Sequence, residues 1–149
     1  MSTLNPQSIA LLAGRTGPIS GALFVDDFGI GTLTIGNGGM VNVGISVGVA
    51  VFPGSTRTVN TSAASGQPAA APDTLNTSLA GFGDGTGRIV FNHTASNYTF
   101  AATLSDPGLV KVDAGSKIQT TNNTDTRATT ISGGALIVNR SIASSAPLR

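Results

Sequence analysis

Residues 87–139, "GRIVFNHTASNYTFAATLSDPGLVKVDAGSKIQTTNNTDTRATTISGGALIVN", repeat short apolar runs at a near-constant interval. "RIVF" ends at Phe91, "LVKV" at Val112 and "ATTI" at Ile131, while a second series, offset by about ten residues, occupies 99–103, 117–120 and 136–139. An antiparallel sandwich also yields short strands, but each of those wants one wet and one dry face over a longer run. Two interleaved series with one period fit parallel stacking better. In a solenoid each turn lies on the one before, so strands of a few residues suffice because their inward side chains share a continuous core. The spacing therefore predicts an all-β chain, a parallel solenoid with rungs of about twenty residues.

Composition agrees with that architecture. The 149 residues suit one domain, 1–149, with its own core. Only 10% are charged against 40% hydrophobic, so Thr, Ser, Asn and Gly must cover the surface. The acidic residues are all Asp, Lys occurs only at Lys111 and Lys117, and straight-chain helix formers are scarce. With 20 Gly and short Val- and Ile-containing runs, local preference favours strands and tight turns. A net charge of +1 without a basic cluster argues against nucleic acid as a partner. Cysteine is absent, which excludes disulfides and thiolate metal sites. "IALLAG", 9–14, is too short for a membrane span and lacks the basic flank of a signal peptide.

Strands are expected at 22–25, 32–35, 40–43, 46–52, 88–91, 98–104, 109–112, 117–120, 128–131 and 135–139. In "GTLTIGNGGMVNVG", 31–44, Leu33 and Ile35 point inward, Gly36 to Gly39 turn a corner, and Val41 and Val43 resume the inward stripe. Thr32, Thr34 and Asn42 face outward. Residues 53–86, rich in Pro, Ala, Ser and Thr, read as a loop insertion, within which Asp73 could cap a short helix carrying Leu75 and Leu79.

Residues 31–44 resemble the glycine-cornered strand repeat of bacterial autotransporter passenger regions. Residues 87–139 resemble the autotransporter-associated β-strand repeat, most tellingly in "FNHTASNYTF" and "TTISGGALIV". The resemblance implies a right-handed parallel β-helix, displayed on the bacterial cell surface by a separate outer-membrane barrel. It would also account for the missing cysteines, since that export route handles an unfolded chain. The sequence itself carries neither an export signal nor the alternating strands of a barrel, so it reads as a passenger fragment.

No residue is assigned to catalysis, to a cofactor or to a metal. His93, the single histidine, reads as an exposed turn residue rather than a relay base. Asp26 and Asp27 point to opposite faces if they lie on a strand, which leaves them turn or strand-end roles. Asp106 and Asp125 are the one carboxylate pair whose spacing matches a rung. "GFGDGTG", 81–87, lacks the Lys-Ser/Thr of a phosphate loop and the tandem copies of a calcium repeat, so it reads as a loop return. Asn-x-Ser/Thr triplets at Asn60, Asn76, Asn92, Asn97, Asn122 and Asn139 follow from composition.

Two function classes remain. A non-enzymatic structural or adhesive module needs shape and polar ladders, contacting a host or neighbouring-cell surface, protein or glycan, through the ladders or through 53–86. A polysaccharide-cleaving β-helix enzyme needs a clustered acid, base or metal site, which the sequence does not display. Solenoid ends also expose unpaired backbone unless capped, which makes homo-oligomers a third outcome. "NPQSIALLAG", 5–14, could cap one end.

Overall fold

The computed structural model describes residues 2–3, 9–13, 18–25, 29–105, 107–124 and 127–142. Among these the chain is all-β, without helix. A first group of strands comprises β1 (Ser2–Thr3), β2 (Ile9–Ala13), β3 (Pro18–Ile19), β4 (Leu23–Val25), β5 (Ile30–Gly36), β6 (Met40–Val43) and β7 (Val47–Val49). Next come β8 (Thr56–Asn60), β9 (Thr74–Asn76), β10 (Leu79–Phe82), β11 (Thr86–Asn92), β12 (Tyr98–Phe100) and β13 (Thr103–Ser105). The last are β14 (Gly108–Ala114), β15 (Ser116–Gln119), β16 (Asn122–Asn123), β17 (Thr129–Ile131), β18 (Ala135–Val138) and β19 (Ser141–Ile142).

Every pairing between these strands is parallel and joins a strand to the third one along the chain. The sheets are β2-β5-β8-β11-β14-β17, β1-β4-β7-β10-β13, β3-β6-β9, β12-β15-β18 and β16-β19. In the first sheet Phe91 lies beside Val112 and Val112 beside Ile131. The second series aligns likewise, with Tyr98, Lys117 and Leu136 in one row. Both registers follow the spacing read from the sequence.

Alternation along each strand sends one set of side chains into a single buried cluster. Leu33, Ile35, Val41, Val43, Val47, Val49, Ile89, Phe91, Leu104 and Val112 all belong to it, so all the larger sheets contribute. The corner at 36–39 is built as expected. Asn37 and Gly38 have φ of 57° and 74°, the two positive-φ positions of a type I′ turn, and Gly39 N–H donates to the Gly36 carbonyl at 3.1 Å. Thr34 and Asn42 start side-chain ladders between successive strands: Asn60 Nδ2 donates to Thr34 Oγ1 at 3.0 Å and Asn76 Nδ2 to Asn42 Oδ1 at 3.1 Å.

Three expectations change. Residues 53–86 are not one insertion, because β8, β9 and β10 fall within them, β8 and β10 paired on both sides and β9 paired with β6. The longest stretch between these strands, the excursion at 61–73, folds back over the outer side of β11. Thr61 donates to the Val90 carbonyl through N–H (3.0 Å) and Oγ1 (3.2 Å), and Asn92 Nδ2 donates to the carbonyls of Ala64 and Gln67, both at 2.8 Å. Val90, on the side of β11 opposite the core residues Ile89 and Phe91, is thereby fully buried. The helix after Asp73 is replaced by β9, since burying Leu75 against the core outweighs the weak propensity of "DTLNTSLA". The run 98–104 splits into β12 and β13, because the chain turns there from one sheet into the next. Within 5–14, residues Ile9–Ala13 extend the six-stranded sheet as β2.

Glycines make room for large neighbours across this register. Arg57 stands fully buried beside Gly31 and Gly87, where a Cβ on Gly31 would press the Arg57 stem at 3.3 Å. Its guanidinium donates to the carbonyls of Gly29 and Thr56.

Candidate functional site

Polar chemistry concentrates around the excursion. Lys111 and Asp113 sit two apart on β14 and so share a face, with Lys111 Nζ 2.9 Å from Asp113 Oδ1 and 2.6 Å from Ser65 Oγ. Burial would raise the Asp113 carboxyl, but hydrogen bonds with Ser65 and Lys111, the lysine charge and Ser132 hold it below its usual value. The trio is therefore a clasp that pins the excursion to β14. It contributes stability above the ordinary carboxylate range and loses it as pH falls through the lowered folded-state value.

His93 is buried, not an exposed turn residue. Its ring packs on Tyr98 at 4.9 Å between centroids, and a Cβ on Gly115 would overlap it, which is why a glycine with φ of 78° stands there. Neither ring nitrogen makes a hydrogen bond of good geometry, and burial lowers the pKa against a smaller opposing pull from the Ala95 backbone. A neutral imidazole bonded to neither hydroxyl nor carboxylate has no relay to run.

Tyr98, the single tyrosine, also borders Phe91, at 6.1 Å. Burial chiefly, with the nearby Asp73 charge and against a hydrogen bond at the Leu75 backbone, pushes its pKa up to about 12. An acid raised on folding disfavours the fold once the unfolded chain ionises, so stability should fall as pH climbs from the ordinary 10.0 towards that value. Phenolate absorbance in an alkaline titration is expected to stay flat through pH 10 and to rise near 12 or with unfolding; half-ionisation at 10 in the folded protein would refute the burial.

Asp73, buried just before β9, accepts the Gly39 N–H at 2.8 Å, while its Oδ2 has no hydrogen-bond partner. Burial raises its pKa above 3.8, against hydrogen bonds from Gly39 and Gly38. The carboxylate thus costs stability as pH rises past 3.8. Asp73→Asn keeps the acceptor and should equal or exceed the parent in stability at neutral pH, with a flatter acid profile. Asp73→Ala should lose about 1 kcal/mol, because Gly39 N–H retains the Gly36 carbonyl. Urea melts at acid and neutral pH decide both.

The turn in "GFGDGTG" offers no phosphate cradle. Gly83, Asp84 and Gly85 N–H groups donate to the carbonyls of Val49, Val51 and Ala50 at 3.1, 3.3 and 3.0 Å. Asp26, Asp27, Asp106 and Asp125 lie outside the described residues. Among those described, no three His or Asp side chains gather in a metal-ligand cluster. Of the glycosylation triplets, Asn60 and Asn92 are buried.

One open groove, of about 430 Å³, crosses three successive passes of the chain where the β3-β6-β9 sheet turns towards β4, β7 and β10. Its walls are residues 18–20, 42–44 and 76–78, stacked in the register Pro18, Asn42, Asn76. Gly44 permits the close stacking, since a Cβ there would meet the Ser20 carbonyl at 2.9 Å. Sequence patterning missed this groove because 18–19 and 74–76 were not read as strands. The outward Asn42 was its only legible sign.

No helix among the described residues is long and apolar enough to cross a membrane. Comparison with protein-family models, curated proteins and solved structures returned no match.

Proposed function

We propose that the sheets close into a right-handed parallel β-helix and that the chain is a non-enzymatic, surface-exposed structural or adhesive module of the bacterial autotransporter passenger type. One observation carries the architecture: parallel pairing at every third strand through six passes of the chain. Parallel strands of one sheet need a crossover, and such crossovers are right-handed in about 98% of cases. The side-chain ladders of Thr34 with Asn60 and Asn42 with Asn76 support an outer surface wetted without charge. The Ser65–Lys111–Asp113 clasp and the buried His93, bonded to neither hydroxyl nor carboxylate, lend nothing to the polysaccharide-cleaving alternative.

The test pairs binding with turnover. Fluorescently labelled chain is incubated with bacterial and host cells, and unlabelled chain with pectin-like uronic polysaccharides. Saturable cell binding without new unsaturated sugar ends is the expected result. Unsaturated ends above a buffer control would overturn the module reading in favour of an enzyme.

A further inference from the structure

We propose that the groove lined by residues 18–20, 42–44 and 76–78 binds a neutral saccharide, seated across the Asn42–Asn76 amide ladder. This deepens the adhesive reading and rests on it. The volume, about 430 Å³, lies within the range of small-ligand clefts, and no titratable side chain lines it. An ionic ligand would find no counter-charge there.

The hydrogen-bonding groups suit adjacent hydroxyls. Asn76 Nδ2 donates to Asn42 Oδ1, and no described residue pairs with the Nδ2 of Asn42 or the Oδ1 of Asn76. Exchanging O and N in both amides leaves the same complement, one donor and one acceptor. A vicinal diol, whose hydroxyls can accept from one group and donate to the other, satisfies both. Thr77 and Ser78 already donate, to the carbonyls of Leu79 (3.1 Å) and Ile45 (2.9 Å), so their oxygens remain as further acceptors. Pro18, exposed and in register with Asn42, supplies an apolar surface for the C–H face of a sugar ring.

An extended peptide fits less well. It binds by adding to a strand edge, and the backbone at 44, 45 and 78 is engaged, which leaves it only the outer edge of β9. Gly44 N–H donates to Ile19, Ile45 N–H to Gly21, and the Ser78 carbonyl accepts from Thr103, at 2.8, 3.3 and 3.0 Å.

The experiment titrates isotope-labelled chain with methyl glycosides of glucose, galactose, mannose and N-acetylglucosamine and with maltose, following amide shifts. A glycine-serine peptide serves as the competing class. Expected are shifts confined to 18–20, 42–44 and 76–78, a Kd of about 1 mM for at least one sugar, and no weakening by added salt, since no charge is involved. Asn42→Ala and Asn76→Ala should each weaken binding about tenfold. Both side chains face outward, and should a variant misfold, the parent titration still decides. Absence of shifts in the groove with every sugar, equal affinity in folded variants, or stronger groove binding by the peptide overturns the proposal. Cell binding that persists after any of these leaves the module reading standing while the saccharide site falls.

Discussion

Replacing Phe91 with alanine is expected to destabilise the fold by about 3–5 kcal/mol, the range for deleting a buried aromatic ring. The ring is fully buried and lies edge-on to Phe100 at 5.1 Å between centroids. It also receives a buried cation, with Lys117 Nζ 4.3 Å from its centre and 5.1 Å from that of Phe100. Alanine removes the packing and withdraws from the ammonium a face that helps offset its desolvation. Urea denaturation followed by far-ultraviolet circular dichroism measures the loss. A double-mutant cycle with Lys117→Met isolates the cation–ring share, expected at about 1–2 kcal/mol. A loss below about 1 kcal/mol for Phe91→Ala would contradict a packed ring.

Gly108→Val should cost about 3 kcal/mol, the upper end of overpacking penalties. Gly87 and Gly108 are register partners at the starts of β11 and β14, and the Phe82 ring lies across both. A Cβ on Gly108 would overlap three ring atoms of Phe82, itself fully buried. The ring must leave its place or β14 must lift from β11. Shrinking the ring should relieve the conflict, so Phe82→Leu combined with Gly108→Val is expected to be more stable than the sum of the single losses. Additive losses would show that the ring does not cover this glycine.

Periodicity made much of the fold legible. The series through Phe91, Val112 and Ile131 and the series through Tyr98, Lys117 and Leu136 both emerge as neighbouring strands, because parallel stacking converts a sequence interval directly into contact. Where the interval stretches, legibility fails. Thr56 pairs with Ile30 and with Thr86, so the repeat there runs to 26 and then 30 residues, and the excursion at 61–73 lies within the longer interval. Its Pro, Ala and Ser content signalled a departure from the strands but not the sheet face that it covers.

Facing was less legible than spacing. Hydropathy along "SKIQ" would bury Ile118, yet Lys117 and Gln119 are buried and Ile118 is not. Register explains it: Gln119 pairs with Phe100, whose ring is held against Phe91, and partners in register share a face. Gln119 Nε2 is then satisfied by the Ala102 carbonyl at 3.0 Å, Thr121 Oγ1 at 2.8 Å and Asn123 Oδ1 at 3.2 Å. Of the candidate chemistry, His93 was visible as a residue but not as a buried one, because its burial depends on Tyr98 and on Gly115, which meets it only through stacking of the next pass.

What the amino-acid order determines alone is local and periodic: short strands, glycine corners, a common interval and a surface of amides and hydroxyls. The "NG" at 37–38 shows the limit, for it is the strongest short-range hairpin signal, yet β5 and β6 do not pair with each other. Each finds its partner a full pass away, where apolar side chains of successive strands can exclude water together. Tertiary stacking alone decided which outward side chains stand in one column, and so placed Asn42 beside Asn76, because a groove across three passes exists only once those passes are laid side by side.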